Sequence, residues 1–225
     1  MKTIGILGGL GPQATMDFEA RIHAVSHELL PQSANGNYPP MVVYYFRHAP
    51  TLRAQDGALQ PNPRLLEAAK KLGTWADFLV IPSNAPHRFR QEIEQASGRT
   101  IISMIDATLK EVQKRQLKRV GIVGLGVPEV YQIPLGQLGL AYECLAEALR
   151  ARLDQAIFAL MRGQDGREER AIAREAIASL RAKGVDGIIL GRTEILLLLK
   201  EEANAPDLIN PGQLLAEAAV RYAME

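Results

Sequence analysis

Residues 81–89, Ile81-Pro82-Ser83-Asn84-Ala85-Pro86-His87-Arg88-Phe89, put a hydroxyl, an amide and an imidazole within five positions, directly after the apolar run Phe78-Leu79-Val80. A serine hydroxyl acts as a nucleophile or proton carrier only when a neighbouring base takes its proton, and His87, four residues on, is the nearby candidate. A second cluster, Gly191-Arg192-Thr193-Glu194, follows the run Gly187-Ile188-Ile189-Leu190 in the same way. Arginine is a permanent cation and no general base, but its planar fork grips a carboxylate through two hydrogen bonds. Ser83, Asn84, His87, Arg192, Thr193 and Glu194 therefore read together as an anion pocket, with polar donors on one side and a cation on the other. Two plainer readings compete. Ser83 and Asn84 cap a helix that begins near Pro86, or Arg192 is held in an ion pair with Glu194, which would close the pocket.

The elements that must carry these clusters are legible in the hydrophobic pattern. Thr3 to Leu7, Met41 to Phe46, Asp77 to Ile81, Arg119 to Val123 and Asp186 to Leu190 are short apolar runs rich in β-branched residues. Their hydrophobicity is continuous rather than alternating, as in parallel strands covered on both faces. Between them, Pro12 to Leu30, Pro63 to Thr74, Arg88 to Ala96, Ile105 to Gln116, Glu147 to Arg162, Arg167 to Lys183 and Gly212 to Met224 carry helical periodicity. Gly5-Ile6-Leu7-Gly8-Gly9-Leu10-Gly11-Pro12 is echoed by Gly121-Ile122-Val123-Gly124-Leu125-Gly126-Val127-Pro128, and Ala76-Asp77 through His87 by Val185-Asp186 through Leu196. One α/β unit used twice explains both echoes. The expected fold is α/β, with two pseudo-symmetric lobes, each a mainly parallel sheet flanked by helices, and a ligand cleft between them. The lobes are expected at residues 1–103 plus 212–225 and at 104–211. Ligands on such sheets bind beyond the carboxyl ends of the strands, where both polar clusters lie.

Composition removes several functions. Lysine plus arginine number 26 against 25 aspartate plus glutamate, so neither nucleic acid nor an anionic membrane is an expected partner. No stretch approaches the roughly 18 apolar residues of a membrane span, and the opening apolar run is too short for a signal peptide; a soluble cytoplasmic protein is expected. Cys144 is the single cysteine, which excludes an internal disulfide and thiolate metal clusters. It reads as a packing thiol. His23 and His27 have the spacing of metal ligands but no third partner, and no metal site is expected. Tyr44, Tyr45 and Trp75 read as core or interface aromatics. Gly9-x-Gly11-x-x-Ala14 formally fits a relaxed dinucleotide fingerprint. The acidic residue expected at the end of the second strand is absent, and Arg47-His48 stand there instead. That leaves an NADP-binding oxidoreductase, with Arg47 on a phosphate, as a weaker alternative. The simpler reading of Gly9 and Gly11 is that they let backbone amides approach a small carboxylate.

The segments Gly5 to Pro12, Ser83-Asn84-Ala85-Pro86-His87, Gly191-Arg192-Thr193-Glu194 and Leu208-Ile209-Asn210 together resemble the aspartate/glutamate racemase family, the amino-acid racemases that work without pyridoxal phosphate. The resemblance covers nearly the whole chain. It implies two α/β lobes enclosing a small amino-acid or carboxylate ligand, no cofactor, and a homodimer. In that family one cysteine lies in a Cys-Asn-Thr-x-His segment and another in Gly-Cys-Thr-Glu; one thiolate removes the α-proton and the other thiol returns one to the opposite face. This chain departs at both positions, with Ser83 and Arg192 in place of the cysteines. Ala85 replaces the usual threonine, Pro86 follows it, and Asn210 stands where an aspartate often lies. By resemblance Ser83, Arg192 and His87 occupy the catalytic positions. Gly9, Gly11, Arg53, Asn84, Ala85, Thr193 and Glu194 occupy substrate-binding ones. A thiol that is partly ionised near neutrality can remove a proton, whereas a serine hydroxyl cannot without a base, so symmetric two-thiol racemisation is not expected. Altered isomerase chemistry at the α-carbon, a lyase-like or decarboxylase-like reaction, and carboxylate binding without turnover all stay open.

Overall fold

The computed structural model describes residues 1–225 apart from 31–35, 125–128 and 165. Its contacts divide the chain into two units, Met1–Met104 with Gly212–Glu225, and Ile105–Pro211.

In the first unit β1 (Ile4–Gly8) leads through α1 (Pro12–Leu29) to β2 (Met41–Tyr45). A small antiparallel hairpin of β3 (Thr51–Arg53) and β4 (Leu59–Pro61) follows, then α2 (Pro63–Gly73), β5 (Phe78–Val80), α3 (Arg90–Ser97) and β6 (Ile101–Ile102). The four main strands are all parallel, in the order β2-β1-β5-β6, with Ile4 opposite Met41 on one side and Phe78 on the other. Ile4, Ile6, Phe78 and Val80 pack on one face with Phe18, Ile22 and Val25 of α1 and with Leu215 and Ala219. Leu7, Leu79 and Ile81 pack on the other with Leu65 and Leu72 of α2 and Ile93 of α3. Both faces are covered, which is why these strands read as continuous apolar runs. The space beside β1 is tight: a Cβ on Gly5 would come within 2.5 Å of Leu79 Cδ2 on β5, 2.7 Å of Ala76 Cβ and 3.1 Å of Leu72 Cγ on α2.

α4 (Met104–Lys114) carries the chain into the second unit. There β7 (Arg119–Val123), α5 (Glu129–Gln137), β8 (Ala141–Cys144), α6 (Glu147–Met161), α7 (Arg167–Arg181), β9 (Gly187–Leu190), α8 (Thr193–Leu199) and β10 (Leu208–Ile209) follow in turn, and α9 (Pro211–Met224) closes the chain. The strands are again parallel, in the order β8-β7-β9-β10. Val123, Ile188 and Leu190 pack with Leu153 and Ile157 of α6 and with Ala173, Ile177 and Leu180 of α7.

Counted within its own unit, each sheet runs second, first, third, fourth. The sequence echo therefore falls on topologically equivalent strands, β1 with β7 and β5 with β9. The equivalence extends to single hydrogen bonds. Just before β5, Asp77 accepts the Thr3 N–H at 2.6 Å and donates its own N–H to the Thr3 carbonyl at 3.0 Å. Just before β9, Asp186 accepts the Lys118 and Arg119 N–H groups, both at 2.8 Å, and donates to the Arg119 carbonyl at 2.8 Å. In each unit an aspartate fastens the start of the third strand to the start of the first. Residues 125–128, the second half of one echo, lie outside the described residues.

Several elements were not foreseen. α5 contains Pro134, which removes a helical hydrogen bond and hides the element from a pattern reading. α8 is buried along almost its whole length, so it has no polar face to set a period. β8 is an edge strand, exposed over Ala141 and Tyr142, and lacks the continuous apolar run. Trp75, read as a core or interface aromatic, is 63% exposed, which removes only the core reading.

Candidate functional site

In an open sheet whose order reverses, the crevice beyond the carboxyl ends forms between the first and third strands. In the first unit these ends are Gly8-Gly9-Leu10-Gly11 after β1 and Ile81-Pro82-Ser83-Asn84 after β5. The Gly8 carbonyl accepts the Phe46 N–H at 2.9 Å, tying the end of β1 to the residue after β2. Gly9 has φ +78°, and a Cβ there would stand 2.6 Å from the Phe46 nitrogen and 2.7 Å from its oxygen; only glycine fits. Its N–H does not face an open ligand space. It donates to Thr15 Oγ1 at 2.9 Å, and that hydroxyl donates to the Gly11 carbonyl at 3.1 Å. The Gly9 amide thus braces the turn and is not a donor for a carboxylate or a pyrophosphate. Gly11 is the N-cap of α1, without a side-chain cap and with Pro12 in the first turn. The neighbouring Gln13 Oε1 is buried and has no hydrogen-bond partner among the described residues.

After β5 the Ser83 N–H donates to the Ile81 carbonyl at 2.8 Å, a tight turn that leaves Ser83 half-buried. Asn84 is buried and opens a 3₁₀ turn over Ala85–Phe89, with no side-chain cap hydrogen bond. Capping by Asn84, the plainer alternative, is therefore not what this residue does. Ala85 is exposed. His87 is buried, with Nδ1 2.8 Å from the Ser83 carbonyl and Nε2 3.1 Å from the Met104 nitrogen. A carbonyl only accepts and an amide N–H only donates, so the proton belongs on Nδ1 and Nε2 accepts from Met104. Met104 opens α4 and its N–H is one of the four that a helix start leaves unpaired. His87 thereby caps the first residue of α4, Met104. Its ring meets the Ser83 carbonyl rather than the hydroxyl, and serving as a base toward Ser83 would require it to leave Met104. Nothing in the sequence pointed to a partner 17 residues away. Arg53 ends β3 on the exposed hairpin, where Nη1 donates to the Gly57 carbonyl at 3.2 Å.

In the second unit, Gly191 follows β9 and donates to the Val123 carbonyl at 2.6 Å. A Cβ at Gly191 would lie 2.9 Å from that oxygen. Arg192 is the extended N-cap of α8. Its Nε lies 3.1 Å from Glu194 Oε2, with side chains 21% and 4% exposed, and its Nη2 lies 3.5 Å from Met161 Sδ. The Thr193 hydroxyl donates to the same Glu194 oxygen at 3.3 Å. The ion pair weighed as an alternative role for Arg192 is thus present. It is incomplete, because the buried Nε is not aligned for a hydrogen bond and a thioether is a weak acceptor. The guanidinium keeps donor capacity for another acceptor. Met161, which sequence reasoning missed, is the residue that meets it.

Cys144 is half-buried on β8, and Gln132 Nε2 lies 3.2 Å from its sulfur. The His23 ring stacks edge-on against Tyr38 at 5.4 Å. Among the described residues no group of three or more His, Cys, Asp or Glu could hold a metal ion, and no helix is long and apolar enough to cross a membrane.

With this geometry in place, the model of the Asp/Glu/Hydantoin racemase family matches residues 7–219. The chain belongs to that family. Among curated relatives it is 30% identical over 121 residues to the broad specificity amino-acid racemase RacX of Bacillus subtilis, covering 52% of each chain. It thus spans about half the length of that relative. Among solved structures it is similar to an aspartate racemase from Picrophilus torridus, at 19% identity and a TM-score of 0.83, over 100% of this chain and 95% of that one. It is also similar to an aspartate racemase homologue from Pyrococcus horikoshii, at 23% identity and a TM-score of 0.79, over 100% of both chains. The racemase-family fold is therefore shared well beyond recognisable sequence identity.

Proposed function

We propose that this racemase-family protein binds a small amino or carboxylic acid at the carboxyl ends of its parallel strands, and acts at the α-carbon by a route other than two thiols. The observation that carries this reading is the combination of family membership over residues 7–219 with Ser83 and Arg192 at the two positions where the family motif has cysteine. Its further support is chemical. Arg192 retains donors suited to a carboxylate beyond its contact with Glu194, and Gln13 Oε1 is an acceptor of the kind an ammonium group requires. Assembly into a homodimer rests on the family alone. The name of the RacX relative makes amino acids the first substrates to try.

A second reading, binding without turnover, is favoured by one observation: both ring nitrogens of His87 are already engaged with backbone. The two readings separate in heavy water. Incubation with a panel of amino acids, followed by mass spectrometry, should show deuterium at the α-carbon of at least one. Ligand binding with no exchange would select the non-catalytic reading. Neither binding nor exchange by any member of the panel would remove both.

A further inference from the structure

At the carboxyl end of β2 the first unit gathers charge that the proposed function does not use. Arg47 and His48 leave the strand, while Arg64, Glu67 and Lys71 share one face of α2 at helical spacing; with Tyr44 they line a cavity of about 340 Å³. That volume lies at the lower end of the range for small-molecule pockets. Among the described residues no carboxylate lies within ion-pair distance of Arg47, Arg64 or Lys71. Glu67 is the single acid in the lining. In the second unit, by contrast, Arg152 pairs with Glu175, Arg174 with Glu202 and Arg181 with Asp207.

Two contacts hold the two arginines in place. Arg47 lies over the Tyr45 ring at 4.9 Å, and that ring is fixed by the Tyr45 hydroxyl donating to Glu19 at 2.9 Å. Arg64 Nη1 stands 3.2 Å from His48 Nε2. A guanidinium only donates, so His48 accepts there as a neutral ring. A permanent cation is thus satisfied by an uncharged nitrogen, an arrangement that an entering anion improves by charge-assisted hydrogen bonding.

We propose that this pocket binds the phosphate group of a small phosphorylated metabolite. One carboxylate needs one arginine fork. Two arginines and a lysine converging on one cavity match a dianion with several acceptor oxygens, which arginine recognises through two parallel hydrogen bonds. The site is independent of the amino-acid reading and uses none of its residues.

The test is calorimetric titration of the full chain, at low salt, with inorganic phosphate, pyrophosphate and adenosine 2′,5′-bisphosphate, with succinate as a carboxylate control. Binding of at least one phosphate is expected. Arg64→Gln and Arg47→Gln should each weaken it about tenfold, the size of one charge-assisted hydrogen bond, and Glu67→Gln should tighten it. These side chains are exposed, so the variants should keep the wild-type melting temperature. Preference for the bisphosphate would identify a phosphomonoester on a larger molecule; equal binding of inorganic phosphate would identify the free oxyanion. The proposal is overturned if no phosphate binds, if the arginine variants bind as wild type, or if succinate binds as tightly.

Discussion

Removing either partner of the Arg192–Glu194 pair should have unequal consequences, and the inequality follows from burial. The Glu194 side chain is 4% exposed and the Arg192 side chain 21%. Arg192→Met leaves a carboxylate with almost no access to water, a case that costs about 3–5 kcal/mol when one member of a buried pair is deleted. The Thr193 hydroxyl still donates to that carboxylate and returns about 1 kcal/mol of the loss, so a net of about 2–4 kcal/mol is expected. Glu194→Gln leaves a cation whose guanidinium already borders solvent, and the amide keeps an acceptor for Thr193; about 1–2 kcal/mol is expected. The double variant should recover part of the sum, with a coupling energy of about 1–3 kcal/mol as for groups in direct contact. Urea unfolding of the four proteins measures all three quantities. Additive losses, or a Glu194→Gln variant less stable than Arg192→Met, would refute this account of the pair.

Three further outcomes follow from single residues. Gly9→Ala places a Cβ against the Phe46 backbone in the left-handed region, and should lower stability by at least about 2 kcal/mol in thermal unfolding. His87→Phe removes the acceptor for the Met104 N–H and should cost about 1–3 kcal/mol by urea titration, the size of an orphaned buried donor. Asp186 is held below the ordinary aspartate value of 3.8 by hydrogen bonds from the Arg119 and then the Lys118 backbone N–H groups. A depressed folded value means that its contribution is present above the unfolded value and is lost as pH falls through the folded one. Asp186→Asn keeps an acceptor but loses the titration, so the drop in stability on acidification below about pH 4 should be shallower than in wild type.

What could be read in advance was whatever repeated or ran continuously. Buried parallel strands leave an apolar signature that needs no tertiary information, and the echo of Gly5–Pro12 in the second half pointed to a reused unit, a reading that the matching strand orders support. The features that escaped depend on distant or opposite preferences. His87 meets Met104 only because β6, paired with β5, ends two residues before it. Thr15 takes the Gly9 amide only because α1 begins directly after the glycine loop, and that removes one of the donors the glycines had suggested. Met161 reaches Arg192 across 31 residues of chain. Local sequence offered no signal for any of these. The Arg192–Glu194 contact, by contrast, spans two positions and could be weighed from the start.

The binding claim is tested most directly by the melting temperature of the wild-type chain across a panel of amino acids and small carboxylates, repeated on Arg192→Met. A ligand at about 100 times its Kd adds about 2.7 kcal/mol, which for a chain of this size is a rise of several degrees. The account predicts such a rise for at least one member of the panel in the wild type, and its loss in Arg192→Met. No shift with any carboxylate, or a shift that survives in Arg192→Met, would contradict it.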